Sequence, residues 1–247
     1  MTENKKADLF GRGTWITIGS PIITEIVSNY PFDWLLFDME HGYLTESSLL
    51  SNMQAVRKNK IKQIVRVPAL DPALIARALD RGASGIMVPH VSSDNQARAC
   101  VDTIRYPPCG NRGYSGQARC FNYGLDTPGD ARQADPPFLM TQIENWEGVM
   151  NADSIAQVNG VDVLFIGPSD LKLELSVRHG ERMEFNDALK IVADAAVKGG
   201  KQAGILVKNP EDIPEYIKLG FTCFAIGSDL GIVQKGYQFL TKQLEQL

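Results

Sequence analysis

Asp38, Glu40 and His41 fall within four residues, directly after the apolar run Trp34-Leu35-Leu36-Phe37. Buried charge must be paired or neutralised, so this crowding suits chemistry better than a plain core. Histidine changes charge near neutral pH and can carry a proton. Beside carboxylates, His41 reads as a general base, with a metal ligand or a structural donor as alternatives. Arg66 ends the run Gln63-Ile64-Val65. Its planar fork suits a carboxylate or a developing oxyanion. The alternative is an internal salt bridge with Glu40 or Asp38. Glu144 and Asp170 close two later apolar runs with no lysine or arginine adjacent. Two such carboxylates suit a hard divalent cation that prefers oxygen ligands. A turn at Gly167-Pro168 would aim the N–H groups of Ser169 and Asp170 at a carboxylate or phosphate. His90 has no adjacent carboxylate and reads as a pocket wall. His179 reads as a surface residue.

These residues need a frame that gathers them. Short apolar runs at 14–19, 34–37, 63–68, 85–91, 138–144, 161–167, 204–207 and 223–227 read as strands. Helical spacing, caps and first-turn prolines mark helices between and after them, including 148–158, 184–199 and a last one at 230–244. Eight strands alternating with eight helices in about 250 residues imply a single α/β domain over 1–247, a (β/α)8 TIM barrel. An open doubly wound sheet is weaker, because no glycine-rich phosphate loop follows the first strand. In a barrel the C-terminal strand ends converge on one face. That face would hold Trp15, Asp38, Glu40, His41, Arg66, His90, Gln142, Glu144, Ser169, Asp170 and Asp229. The segment 105–135 is rich in Pro, Gly, Arg and Asn, and its length marks it as a functional loop that shapes the pocket with His90.

Composition narrows the classes. The 247 residues are 44% hydrophobic and 22% charged, with a formal net charge of −4 and no dense basic block. No nucleic-acid partner is expected. The four cysteines lack C-x-x-C spacing and read as reduced thiols. The polar N-terminus lacks a signal-peptide core, and no run is long enough to span a membrane. A cytoplasmic protein with no membrane partner is expected.

Five motifs stand in a telling order: Asp38-Met39-Glu40-His41-Gly42, Val65-Arg66-Val67-Pro68, Arg105-Tyr106-Pro107-Pro108, Gln142-Ile143-Glu144 and Gly167-Pro168-Ser169-Asp170-Leu171. Together they resemble the HpcH/HpaI aldolases, metal-dependent class II pyruvate aldolases on a TIM barrel. The resemblance covers nearly the whole chain and implies cleavage of a 4-hydroxy-2-oxo acid to pyruvate and an aldehyde. It implies that Glu144 and Asp170 hold the divalent ion, with Mg²⁺ or Mn²⁺ ahead of Co²⁺ or Zn²⁺, and that Gln142 supports a bound water. Arg66 would bind the pyruvate oxygen, and His41 would be the base. Asp38 would contact the aldol hydroxyl or orient His41. The Gly167 turn, with the backbone of Ser169 and Asp170, would receive the pyruvate carboxylate. Asp80 would reach His41 of a neighbouring subunit. The assembly implied is a homo-oligomer, a hexamer or trimer of dimers, with the last helix packed on another subunit.

No Schiff-base lysine is needed, and Lys208 is the one lysine at an inner strand end. The chain departs from the family pattern at Met39, at His90 and at Lys172-Leu173-Glu174-Leu175. Residues 113–119 also resemble the macrophomate synthase branch, which decarboxylates oxaloacetate. An oxaloacetate decarboxylase or a malyl-thioester lyase is therefore the alternative activity, on the same enolate.

Overall fold

The computed structural model of the protein describes residues 10–58, 60–130, 133–178 and 182–244; His179 lies outside them. Eight parallel strands close into a barrel in chain order, with β8 returning to β1. They are β1 (Arg12–Ile16), β2 (Trp34–Asp38), β3 (Lys62–Arg66), β4 (Gly85–Val88), β5 (Phe138–Ile143), β6 (Val163–Ile166), β7 (Gln202–Val207) and β8 (Phe221–Ser228). The helices are α1 (Pro21–Val27), α2 (Glu46–Ala55), α3 (Pro72–Asp80), α4 (Asp94–Ile104), α5 (Trp146–Met150), α6 (Ala152–Ala156), α7 (Pro168–Val177), α8 (Phe185–Lys198), α9 (Ile213–Lys218) and α10 (Asp229–Leu244).

Strand side chains alternate between two faces. On β2, Leu35 and Phe37 join the shell beneath the helices, while Trp34 and Leu36 join the cluster inside the barrel. Continuing the inward phase, the next residue of β2 is Asp38. The same phase carries β3 from Ile64 to Arg66 and β5 from Met140 to Gln142. The site is thus the top layer of the barrel interior, where the apolar filling gives way to polar groups. Phe10 plugs the other end, edge-on to Trp34 with ring centroids 6.2 Å apart. Room for Trp34 comes from Gly13, where a Cβ would overlap the indole ring.

Two differences from the sequence reading bear on the site. The segment 148–158 is not one helix: Asn151, at φ −96° and ψ 7°, ends α5 and opens α6. A further helix, α7, starts at Pro168, directly after β6, where a turn was expected. Proline tolerates the first helical position because its missing N–H would be unpaired there anyway. In addition, β4 stops at Val88, since Pro89 has no N–H to continue the ladder. No described helix is long and apolar enough to cross a membrane.

Candidate active site

A cavity of about 550 Å³ opens at the C-terminal ends of the strands. Its wall includes Trp15, Asp38, His41, Arg66, Gln142, Gly167, Ser169 and Asp170. No described residue of 105–135 lines it. His90 does not line it either, which corrects the expectation that this loop and His90 shape the pocket within one chain. The loop's Arg112 is instead buried against the Tyr106 ring at 4.6 Å and pairs with Asp80 at 2.7 Å. Asp80 ends α3 and does not line the cavity of its own chain.

Register explains the charged centre. Asp38 and Arg66 are paired positions on adjacent strands. Arg66 Nε donates to Asp38 Oδ1 at 2.9 Å and Nη2 to Oδ2 at 2.7 Å, a bidentate pair. Nη1 lies 2.8 Å from Glu40 Oε2, and the guanidinium stacks 4.2 Å over the Trp15 ring. Arg66 is 3% exposed, so the pair of carboxylates is what makes its burial tolerable. The salt-bridge reading of Arg66 therefore holds, with both carboxylates, and the residue also lines the cavity.

Asp38 Oδ1 also accepts the backbone N–H of Glu40 and of His41, at 3.1 and 3.3 Å. It thereby shapes the turn that carries the histidine. The imidazole itself faces Glu40, with Nε2 3.8 Å from Oε1, and remains exposed on the cavity wall. Glu40 is the nearer carboxylate to the His41 ring. Burial raises the Glu40 carboxyl above its ordinary value, while Arg66 and both neighbouring histidines pull the other way.

Glu144 is 3% exposed. Its Oε1 accepts the His90 backbone N–H at 2.8 Å, and its Oε2 accepts Gln142 Nε2 at 2.5 Å. Burial raises its carboxyl above the ordinary 4.5 against the pull of His90, and Glu40 and Asp170 add to the rise. A Cβ on Gly167 would overlap Glu144 Oε2 and Gln142 Nε2, so the chain passes close by. No side chain caps α7. The first-turn N–H groups of Ser169 and Asp170 therefore have no capping side chain, and both residues line the cavity.

Do these residues fit a divalent ion? Among the described residues, no group of three or more His, Cys, Asp or Glu is arranged to hold one. Mg²⁺-type ions, however, take only one or two carboxylates and fill the rest with water and substrate. Two observations favour the fit. Glu144 is pushed toward protonation partly by Asp170, the relation a cation between them would relieve. Gln142 Oε1 is buried without a hydrogen-bond partner, an acceptor suited to a bound water.

Two candidates change role. Asp229 is a clasp: its carboxylate accepts the N–H groups of Thr17 and Ile18 and the Thr17 hydroxyl, tying α10 to the end of β1. His90 faces two carboxylates, with Nδ1 3.1 Å from Glu144 Oε1 and Nε2 3.9 Å from Glu40 Oε1. Its neighbours in sequence gave no sign of this, since Glu144 is 54 residues away. Lys235 on the cavity wall was likewise not singled out, while Lys208, the one lysine read at an inner strand end, also lines the cavity.

The chain is similar in sequence and shape to known proteins. The chain is 36% identical over 229 residues to a 5-keto-4-deoxy-D-glucarate aldolase from Klebsiella pneumoniae, covering 92% of this chain and 90% of that one. A HpcH/HpaI aldolase/citrate lyase family protein from Burkholderia cenocepacia superposes with a TM-score of 0.87, at 28% identity over 96% of this chain and 95% of that one. Macrophomate synthase superposes with a TM-score of 0.82, at 26% identity over 96% and 84%. The sequence profile of the family matches residues 12–235, and the chain belongs to the HpcH/HpaI aldolase/citrate lyase family.

Proposed function

We propose that the protein is a divalent-metal-dependent aldolase that cleaves a 4-hydroxy-2-oxo acid to pyruvate and an aldehyde. The observation that carries this reading is the convergence of His41, Asp38, Arg66, Gln142 and Asp170 on one cavity, in a member of an aldolase family. Glu144 and Asp170 would hold the ion, and the ion supplies positive charge beside the 2-oxo oxygen. The uncapped first turn of α7 binds the substrate carboxylate through Ser169 and Asp170 N–H, which fixes the 2-oxo group near Arg66.

His41 takes the proton of the 4-hydroxyl as the C3–C4 bond breaks. The electron pair of that bond passes toward the 2-oxo oxygen, where the Arg66 guanidinium stabilises charge present only late in the reaction. Asp38 and Glu40 hold the guanidinium still, so it does not reorganise as the charge develops. Protonation of C3 then gives pyruvate.

The relative's named substrate, 5-keto-4-deoxy-D-glucarate, numbered from its other end is a 2-oxo acid with a methylene at C3 and a hydroxyl at C4. It is the first compound to assay, followed by a panel of 4-hydroxy-2-oxo acids. Pyruvate release that EDTA abolishes and Mg²⁺ or Mn²⁺ restores supports the reading; no pyruvate from the whole panel rejects it. A second reading, decarboxylation of oxaloacetate, draws support from the likeness to macrophomate synthase. Carbon dioxide release without aldol cleavage would favour it.

The assembly belongs to the same proposal: a homo-oligomer in which α10 packs on a neighbour and Asp80 meets a neighbour's His41. Supporting it, Tyr237, Phe239 and Leu240 of α10 are more than half exposed in the single chain.

A further inference from the structure

The His90 backbone has φ 54°, the left-handed region that few residues other than glycine adopt. Histidine is among the types found there more often, but the conformation still carries a cost. The surroundings hold it in place. His90 N–H donates to Glu144 Oε1 at 2.8 Å, and the next residue, Val91, donates its N–H to the Gln142 carbonyl at 3.1 Å. The turn after β4 is thus strapped onto the end of β5. With the backbone so fixed, the imidazole lies between two carboxylates, Nδ1 3.1 Å from Glu144 Oε1 and Nε2 3.9 Å from Glu40 Oε1.

The result is asymmetric for Glu144. Its Oε1 meets both the His90 N–H and His90 Nδ1, whereas Oε2 meets only Gln142 Nε2. A carboxylate oxygen has two acceptor sites. Oε1 thus has two His90 groups against it, one of them a hydrogen-bond donor, whereas Oε2 has a single side-chain partner.

We propose that His90 is a positioning residue: its Nδ1 side and its backbone N–H together hold Glu144 Oε1, which leaves Oε2 as the atom offered to a divalent cation. The inference rests on the metal-dependent reading above. Groups that orient a metal-binding carboxylate change metal affinity by about 10–100-fold when removed.

The test is Mn²⁺ affinity by titration calorimetry on the full chain, without turnover. His90→Gly removes the imidazole and relieves the backbone strain, so folding is not put at risk. His90→Asn keeps a donor at the place of Nδ1 and tolerates the left-handed turn. His90→Gly is expected to weaken Mn²⁺ binding about tenfold or more, and His90→Asn to recover most of the loss. Pulsed EPR of the Mn²⁺ complex is expected to show no directly coupled histidine nitrogen. Unchanged affinity in His90→Gly, or His90→Asn as weak as His90→Gly, overturns the assignment. A direct nitrogen coupling lost in His90→Gly also overturns it, by making His90 a ligand. If the parent protein binds no Mn²⁺, the metal-dependent reading itself fails, which is a different result from a parent that binds and a variant that does not differ.

Discussion

Arg66 is gripped from three directions, by Asp38, by Glu40 and by the Trp15 ring. A lysine keeps the charge but cannot span two carboxylates and stack on an aromatic face at once. Arg66→Lys is therefore expected to lower kcat by about 10²–10³, the range for losing one pre-organised oxyanion donor. Steady-state kinetics on the cleaved substrate would read it, and a change under threefold would speak against the role. Glu144 gives a pH dependence. Its carboxyl is raised above 4.5 by burial. For a raised group, its contribution to stability is present below the unfolded value and lost as pH rises through the folded value. The metal-free fold thus pays for ionising Glu144 as pH rises past 4.5, and a bound cation offsets that cost. The rise in Tm produced by Mn²⁺ should be small near pH 4.5 and grow toward neutral pH. An equal rise at both ends would contradict this. At this scale the sequence pointed to the candidate residues and to the pairing of Arg66 with Asp38 or Glu40, but not to every contact among them. Asp38 with Arg66 could be guessed from strand neighbours. His90 with Glu144 could not, because no local pattern encodes a contact across two strand ends.

At the scale of elements, the strands were legible because barrel strands buried on both faces are continuous apolar runs bounded by Gly and Pro. The missed helix is instructive. In α7, Leu171, Leu173 and Leu175 alternate, which mimics a strand period, and only Leu171 is buried. Gly-Pro before them suggested a turn, whereas Pro168 is the first residue of the helix. The consequence for function is favourable, since a helix N-terminus binds an anion better than an isolated turn. The packing inside the barrel makes its own prediction. Gly13→Ala sets a methyl group into the Trp34 indole. Overpacking of this kind costs about 1–3 kcal/mol. Urea denaturation should show that loss, with the metal site's Mn²⁺ affinity unchanged because Trp34 lies below the site layer. Stability equal to the parent would show that the indole can move aside.

At the scale of the whole molecule, the single chain leaves two loose ends that an assembly would tie. His41 projects into an exposed cavity wall, and α10 turns Tyr237, Phe239 and Leu240 outward. Light scattering is expected to report an oligomer, and Phe239→Glu with Leu240→Glu to reduce its size; a monomeric parent would reject the assembly. The closed barrel was readable from eight regular apolar runs, because barrel closure follows from their number and spacing. The part played by 105–135 was not, because loop composition does not say what the loop lies against. Here Arg112 takes it to Asp80 and away from the cavity of its own chain. The central claim is metal-dependent formation of pyruvate, and one measurement addresses it directly: pyruvate released from 5-keto-4-deoxy-D-glucarate and related 4-hydroxy-2-oxo acids, before and after EDTA, and again after Mn²⁺ is restored. Release that disappears with EDTA and returns with Mn²⁺ is the expected result; release that EDTA leaves untouched, or none from any of these acids, would contradict it.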